Sequence, residues 1–225
     1  MSTKIIAVVA AALALSSCVS LLPDPGTPAT IYTLRAGDVA KVAGDPKPVV
    51  ISVAEPSAPR SVAGADIVWR RDAEIAFMDR AAWDGTAPDL LQDLLIDVLE
   101  RRGAVRAVVR GEGGVRADVD VRWDVQTFEI VEEGERLEAV IATTVKLVDL
   151  RTRMVAESAR FDAKAPISQR SGRVAAAAME RAARDVTLQI ADWAAAKAEA
   201  PPPPSPSPTP SGASAPQPSA ASTRR

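Results

Sequence analysis

The chain has 225 residues, 47% of them hydrophobic, and a formal net charge of −2. It can therefore bury the core of one ordinary domain, and it lacks the basic excess typical of nucleic-acid-binding proteins. Histidine is absent and Cys18 is the only cysteine, which excludes Ser-His-Asp and Cys-His catalytic pairs, histidine-based zinc sites and cysteine metal clusters. An enzyme would have to work with carboxylates, Lys, Arg or Tyr32. We therefore expect no catalytic residue, no metal and no cofactor.

The N-terminus has the pattern of an exported protein. Lys4 precedes an apolar run over residues 5–15, which is shorter than the ~20 residues needed to span a bilayer and is typical of a signal peptide. The run ends in Leu-Ser-Ser-Cys18, which resembles the bacterial lipobox, whose cysteine is acylated after cleavage. A plain signal peptide with an incidental Cys18, or a buried core cysteine, is the alternative. We predict a signal peptide over residues 1–17 and lipidation of Cys18; Val19, in place of aspartate, favours the outer membrane.

The first half of the mature chain predicts a tether followed by short strands. Prolines prevent regular structure over residues 18–29. Apolar runs predict strands at residues 31–34 and 49–53, the second an interior strand. Two extended pieces within residues 65–78 flank a charged stretch and predict a β-hairpin that turns near Arg71.

The clearest predicted helix covers residues 83–103. Thr86 is a suitable N-cap, Pro88 lies in the first turn, and Gly103 is a natural residue after the C-terminus. Large aliphatic residues recur at three- and four-residue spacing, at Leu90, Leu91, Leu94, Leu95, Val98 and Leu99. We interpret this stripe as a core face; a partner groove is the alternative.

The region after this helix predicts four strands. Residues 104–109 form the first, and the glycines after it form a turn rather than a phosphate-binding loop, because no helix pattern follows. Residues 119–125 alternate strictly and predict a half-buried antiparallel strand whose solvated face carries Asp118, Asp120, Arg122, Asp124 and Gln126. A metal or acid–base site at these aspartates is the alternative. Residues 136–149 and 154–163 complete an antiparallel meander.

The chain ends in a second helix and a low-complexity tail. Ser168 is the predicted N-cap of a helix that runs to about residue 196 and packs an alanine-rich stripe closely on the sheet. Residues 199–225 are rich in Pro, Ser and Ala and predict a disordered tail, either a passive spacer or a contact to the cell wall. The predicted fold is α+β: a single domain over residues 30–198, with a mostly antiparallel sheet and two helices packed on one face.

The order of these features resembles the ABC-type transport auxiliary lipoproteins, the PqiC-like group. The resemblance covers roughly residues 13–196 and rests on the lipobox, Tyr32, Leu34, Pro56, Trp83, Pro88, the Leu-rich helix and Gly103. The proline-rich tail and Ala104-Val105, in place of an aromatic residue, depart from the family pattern.

The resemblance implies a non-catalytic lipoprotein of an MCE-type lipid-transport system, in which an ATPase drives phospholipid-like molecules through MCE-domain proteins. The lipoprotein would dock this conduit at the periplasmic face of the outer membrane. The resemblance is also compatible with a homo-oligomeric ring of the lipoprotein itself. Its partners would be the membrane, through the lipid anchor, and the MCE-domain protein with its ABC transporter complex.

Trp69, Arg70 and Arg71 are the candidate partner-binding residues, because aromatic residues and arginine are favoured at interfaces. A core position for Trp69 is the alternative. Two other functions compete with docking of a lipid conduit. One is an assembly or accessory lipoprotein for an outer-membrane pore or β-barrel complex. The other is a lipid-anchored carboxylate hydrolase, which the missing catalytic groups disfavour.

Overall fold

One long central strand, Val119–Glu133, organises the fold. The computed structural model describes residues 28–111 and 114–199, which form one eight-stranded sheet and two helices. In chain order the elements are β1 (Thr30–Tyr32), β2 (Lys47–Val53), β3 (Asp66–Arg71), β4 (Glu74–Trp83), α1 (Ala87–Arg102), β5 (Val105–Arg110), β6 (Val119–Glu133), β7 (Arg136–Asp149), β8 (Met154–Pro166) and α2 (Gly172–Lys197). The helices pack against each other and on the sheet, so the predicted α+β class is confirmed.

Strands of both orientations pair with β6. One edge of β6 pairs antiparallel with β7 along its length, and β7 pairs antiparallel with β8, which is the predicted meander. The other edge pairs in parallel with β2 over residues 119–121 and with β3 over residues 130–132. Parallel pairings also join β1 to β4 and β2 to β5.

The prediction of a mostly antiparallel sheet is therefore wrong about the orientation of the strands. The described sheet is mixed, and four of its seven strand pairings are parallel. Short turns imply antiparallel neighbours, but parallel neighbours are joined by long connections that leave no local pattern. The meander could therefore be predicted, whereas the strands on the other edge of β6 could not.

The predicted hairpin at Arg71 is formed by β3 and β4. Arg71 pairs with Glu74 across the turn, and on its other side Arg71 pairs with Glu132 near the end of β6. β1 pairs with β4 only over Ala81–Trp83. Among the described residues, no strand lies beside the outer edge of β4 over residues 74–80.

Helix α1 begins and ends where its local chemistry predicts. The Thr86 hydroxyl accepts a hydrogen bond from the Asp89 N–H at 3.3 Å, and Gly103 adopts a left-handed φ of 61°, which glycine adopts without a steric penalty. The aliphatic stripe is buried except for the half-buried Leu90, at Leu91, Leu94, Leu95, Val98 and Leu99. The stripe is a core face, and the alternative of an open partner groove is wrong.

Eight of the twelve buried residues of helix α2 are alanines, and the other four are Met179, Val186, Thr187 and Ile190. Its buried alanines are Ala175, Ala176, Ala178, Ala182, Ala183, Ala191, Ala194 and Ala195. Its N-cap is Ser171, which accepts from the N–H of Val174; the prediction of Ser168 is wrong. The chain cannot begin the helix at Ser168, because β8 continues to Pro166 and the N–H of Ile167 still donates to the Leu137 carbonyl at 2.9 Å.

Several predictions concern residues outside the described ranges. Cys18, the signal peptide, most of the tether and the tail from residue 200 onward all lie there. Within the described ranges, no helix combines the length and apolar character needed to cross a membrane.

Candidate docking surface beside the β3–β4 hairpin

The three predicted contact residues occupy consecutive positions on β3, but they do not share one face. Side chains alternate along a strand: Trp69 and Arg71 both reach Glu132, whereas Arg70 reaches Glu129. Glu132 also contacts Arg170, which lies just before α2. The structure therefore brings Trp69 and Arg71 together on the helix side of the sheet and places Arg70 on the opposite side.

The carboxylate of Glu132 joins three separate parts of the chain. Its Oε2 accepts hydrogen bonds from Trp69 Nε1 and from Arg71 Nη2, each at 2.9 Å. Its Oε1 accepts from Arg170 Nη2. The Arg170 guanidinium also lies over the Trp69 ring, 5.9 Å from the ring centroid, within the range of a cation–π interaction. We call Trp69, Arg71, Glu132 and Arg170 the Glu132 cluster.

The electrostatics of the cluster keep Glu132 ionised. Its pKa lies below the ordinary value of 4.5, chiefly because Arg71 donates to the carboxylate, with further donation from Trp69 and Arg170. Burial acts in the opposite direction and is outweighed. The same contact raises the pKa of Arg71. A carboxylate with three donors and a lowered pKa is poorly suited to take up a proton, so the arrangement serves binding and positioning better than acid–base chemistry.

The cluster presents arginine and aromatic surface above a buried anion. The side chains of Arg71 and Arg170 are 55% and 58% exposed, whereas that of Glu132 is 7% exposed. Trp69 is half-buried and packs against the core, so part of its side chain remains accessible. Two arginines beside a fixed tryptophan are typical of interface hot spots.

Arg70 secures the same strand from the other side. Its Nε donates to Glu129 Oε1 at 2.6 Å, and the side chains are 33% and 10% exposed respectively. The ion pairs on both faces of the sheet fasten β3, and with it the hairpin, to the end of β6.

Sequence reasoning missed Glu132 and Arg170. The sequence predicts this strand only over residues 119–125, but β6 continues to Glu133. Phe128 and Ile130 are buried in the core, and Glu132 follows them in the same alternation. A carboxylate at an apolar position of the strand was the available signal; nothing in the sequence identifies Arg170 as its partner.

A second polar group lies on the face of the sheet opposite the helices. An open cavity of about 570 Å³ there is lined in part by Asp120, Arg122, Asp124 and Lys146. Asp120 is 6% exposed, accepts from the Ser52 hydroxyl and pairs with Arg122 Nε at 2.8 Å. The prediction of a solvated face is wrong for Asp120, because Ser52 on the paired strand β2 and Arg122 both contact its carboxylate.

The aspartates that line this cavity already have hydrogen-bond or ion-pair partners. Asp124 accepts from the Ser57 hydroxyl and lies 3.5 Å from Lys146 Nζ. Within residues 28–111 and 114–199, no group of three or more carboxylate or cysteine side chains is placed to hold a metal ion. The cavity is therefore a surface of paired charges.

Comparison with known proteins connects this fold to a family. The family described as the ABC-type transport auxiliary lipoprotein component matches residues 32–191. Protein XCC0632 from Xanthomonas campestris is 30% identical, with a TM-score of 0.69, over 75% of this chain and 96% of that protein. A second crystal structure, of an uncharacterized protein, is 14% identical with a TM-score of 0.57, over 74% of this chain and 99% of that one; this likeness concerns the fold alone.

No curated protein matches the sequence. The family match nevertheless runs from the last residue of β1 to most of α2, so it includes all four residues of the Glu132 cluster and the strands β2 to β8. It also agrees with the resemblance seen in the sequence. The chain belongs to the family of ABC-type transport auxiliary lipoprotein components.

Proposed function

We propose that this protein is a lipid-anchored adaptor that docks an MCE-type lipid conduit, powered by an ABC transporter, at the periplasmic face of the outer membrane. The observation that carries the proposal is the family match over residues 32–191. The Leu-Ser-Ser-Cys motif supports a lipid anchor at Cys18, and Val19 supports the outer membrane. The protein would act by binding and would convert no substrate.

The Glu132 cluster is the proposed docking surface. Trp69 is held at a defined angle by its hydrogen bond to Glu132, so little side-chain entropy remains to be lost when a partner covers it. Arg71 and Arg170 are positioned by the same carboxylate and keep N–H groups available at the surface. Arg70 supports this surface indirectly, by holding β3 on β6 from the opposite face.

Anchoring allows a weak contact to be sufficient. A membrane-attached protein meets its partner at a raised effective concentration, because both are confined to the same layer. The predicted tether, residues 18–29, spans on the order of 20 Å as a flexible chain. A small, partly polar surface such as the Glu132 cluster is suited to this kind of docking.

The experiment is site-specific photo-cross-linking in cells. The photoreactive residue replaces Ala73, which is exposed in the β3–β4 turn and makes none of the contacts to Glu132. The control position is Thr152, which is exposed in the turn between β7 and β8 at the opposite end of β6. We expect cross-links from position 73 to an MCE-domain protein and none from position 152.

The alternatives give different products. Cross-links from position 73 to an outer-membrane β-barrel protein would favour the accessory role at a pore. Cross-links only from position 152 would move the docking surface to the other end of the sheet. The absence of any MCE-domain protein from the products of both positions would contradict the proposed function.

A further inference from the structure

Three large apolar side chains are exposed on the paired strands β1 and β4, where the chain enters the sheet. Ile31 on β1 is 56% exposed, and Ile75 and Phe77 on β4 are 48% and 56% exposed. We call them the Phe77 patch. Patches of this kind on a stable domain commonly mark a contact with another protein or with a membrane.

The Phe77 patch lies on the face of the sheet opposite the helices. Tyr32, Met78 and Ala81 all approach Gly172 at the start of α2: a Cβ placed on Gly172 would lie 3.4 Å from Tyr32 Oη, 3.5 Å from Met78 Sδ and 3.1 Å from Ala81 Cβ. Ile31 and Phe77 are the sequence neighbours of Tyr32 and Met78, so strand alternation directs them to the other side. The patch and the Glu132 cluster therefore occupy opposite faces of the same hairpin.

The patch is close to the predicted lipid anchor along the chain. Thr30, the first residue of β1, is 12 positions after Cys18. Twelve residues span at most about 40 Å and on average about 20 Å. The chain therefore enters the fold on the strand pair that carries the patch, within reach of the membrane that would hold the acyl chains.

The edge of β4 is poorly suited to pairing with a strand of another protein. Its register with β3 shifts between Phe77 and Ala82, and Arg80 has a positive φ of 53°. The charged side chains of Asp79 and Arg80 are 82% and 62% exposed. Bulges and charges of this kind block edge-to-edge pairing, which leaves the side chains of the patch, not the backbone edge, as the contact.

We propose that the Phe77 patch rests in the lipid surface of the membrane that carries the anchor. This inference depends on the lipid anchor of the proposed function and adds the orientation of the domain. Apolar side chains enter the boundary between head groups and acyl chains, while Asp79 and Arg80 stay among the head groups. The Glu132 cluster, on the opposite face, remains accessible to a protein partner.

The test measures the depth of a fluorescent label in the bilayer. The acylated full chain is reconstituted in vesicles of phosphatidylethanolamine and phosphatidylglycerol that contain a lipid with a nitroxide on its acyl chain. Phe77→Cys receives an environment-sensitive label; Cys18 is the only native cysteine, and acylation blocks it. Val155→Cys is the control, because Val155 is also 56% exposed but lies on β8 at the other edge of the sheet.

We expect the nitroxide lipid to quench the label at position 77 severalfold more than the label at position 155. Equal, weak quenching at both positions would overturn the proposed orientation of the domain on the membrane. If the chain still floats with the vesicles, the lipid anchor is unaffected by this result. Protection of position 77 from aqueous iodide without quenching by the lipid would show a protein contact and would also overturn it. A native chain that does not float, or whose Cys18 takes the label, would contradict the anchor itself.

Discussion

The buried alanines of α2 allow a quantitative prediction about packing in the core. Ala182 is fully buried on α2, which packs against α1 and on the sheet, so a larger side chain at this position must displace its neighbours. Ala182→Leu adds three carbon atoms at a closely packed contact and forces neighbouring side chains out of their rotamers. Overpacking of this kind costs about 1–3 kcal/mol, and leucine changes the intrinsic helix propensity little. For a domain of this size, 1 kcal/mol lowers Tm by roughly 2–4 °C, so a cost of about 1–3 kcal/mol lowers Tm by about 2–12 °C.

The matched control is Ala196→Leu, the same change at an exposed position of the same helix. Urea unfolding followed by circular dichroism gives the free energy of unfolding of both variants, and thermal unfolding gives Tm. Ala196→Leu should stay close to the parent protein. Equal effects at both positions, or an unchanged Tm in Ala182→Leu, would refute the inference that Ala182 lies at a closely packed contact with no room for a larger side chain.

Three further predictions concern α1, the Glu132 cluster and the anchor. Leu95→Ala, at a fully buried position of α1, should lower the free energy of unfolding by about 2–5 kcal/mol in urea titrations. The half-buried Leu90 provides the control, and an equal loss in Leu90→Ala would contradict the burial pattern. Glu132→Gln should lower the free energy of unfolding at neutral pH, as measured in urea titrations. The difference in this free energy between variant and parent should shrink below about pH 4.5. The reason is that a carboxyl whose pKa is lowered by folding contributes stability above its unfolded pKa and loses this contribution as the pH falls. Glu133→Gln, at the exposed neighbouring position, is the control; a pH-independent difference for Glu132→Gln would count against the ion-pair explanation. Cys18→Ser should leave the protein unprocessed and without acyl chains, which mass spectrometry and membrane fractionation detect; processing and membrane attachment as before would exclude lipidation of Cys18.

Local features of the sequence were sufficient for several elements. The N-cap at Thr86, Gly103 after the C-terminus and the aliphatic stripe between them specify α1, because capping and helical periodicity act within a few residues. The β3–β4 hairpin and the β6–β7–β8 meander were predicted for the same reason: short turns join neighbouring strands. The resemblance to the family used this order of elements, and the family match over residues 32–191 confirms it.

Contacts between distant parts of the chain explain what the sequence could not indicate. Trp69 and Arg71 were selected by residue type, but their shared acceptor Glu132 is 63 and 61 positions away, and Arg170 is a further 38 positions along. The burial of Asp120 depends on β2 lying against β6, a parallel pairing between strands far apart in the chain. Such pairings depend on how the complete fold buries its apolar surfaces, and no local sequence pattern indicates them.

Residue types and spacing thus determined which segments of this protein are helices, hairpins and core faces, together with the lipoprotein motif at Cys18. The tertiary structure alone decided which strands flank β6, which carboxylates are buried with arginine partners, and that the Phe77 patch and the Glu132 cluster lie on opposite faces of one hairpin. The physical reason is that backbone capping and periodicity operate over a few residues, whereas ion pairs and sheet faces depend on chain closure over many tens of residues.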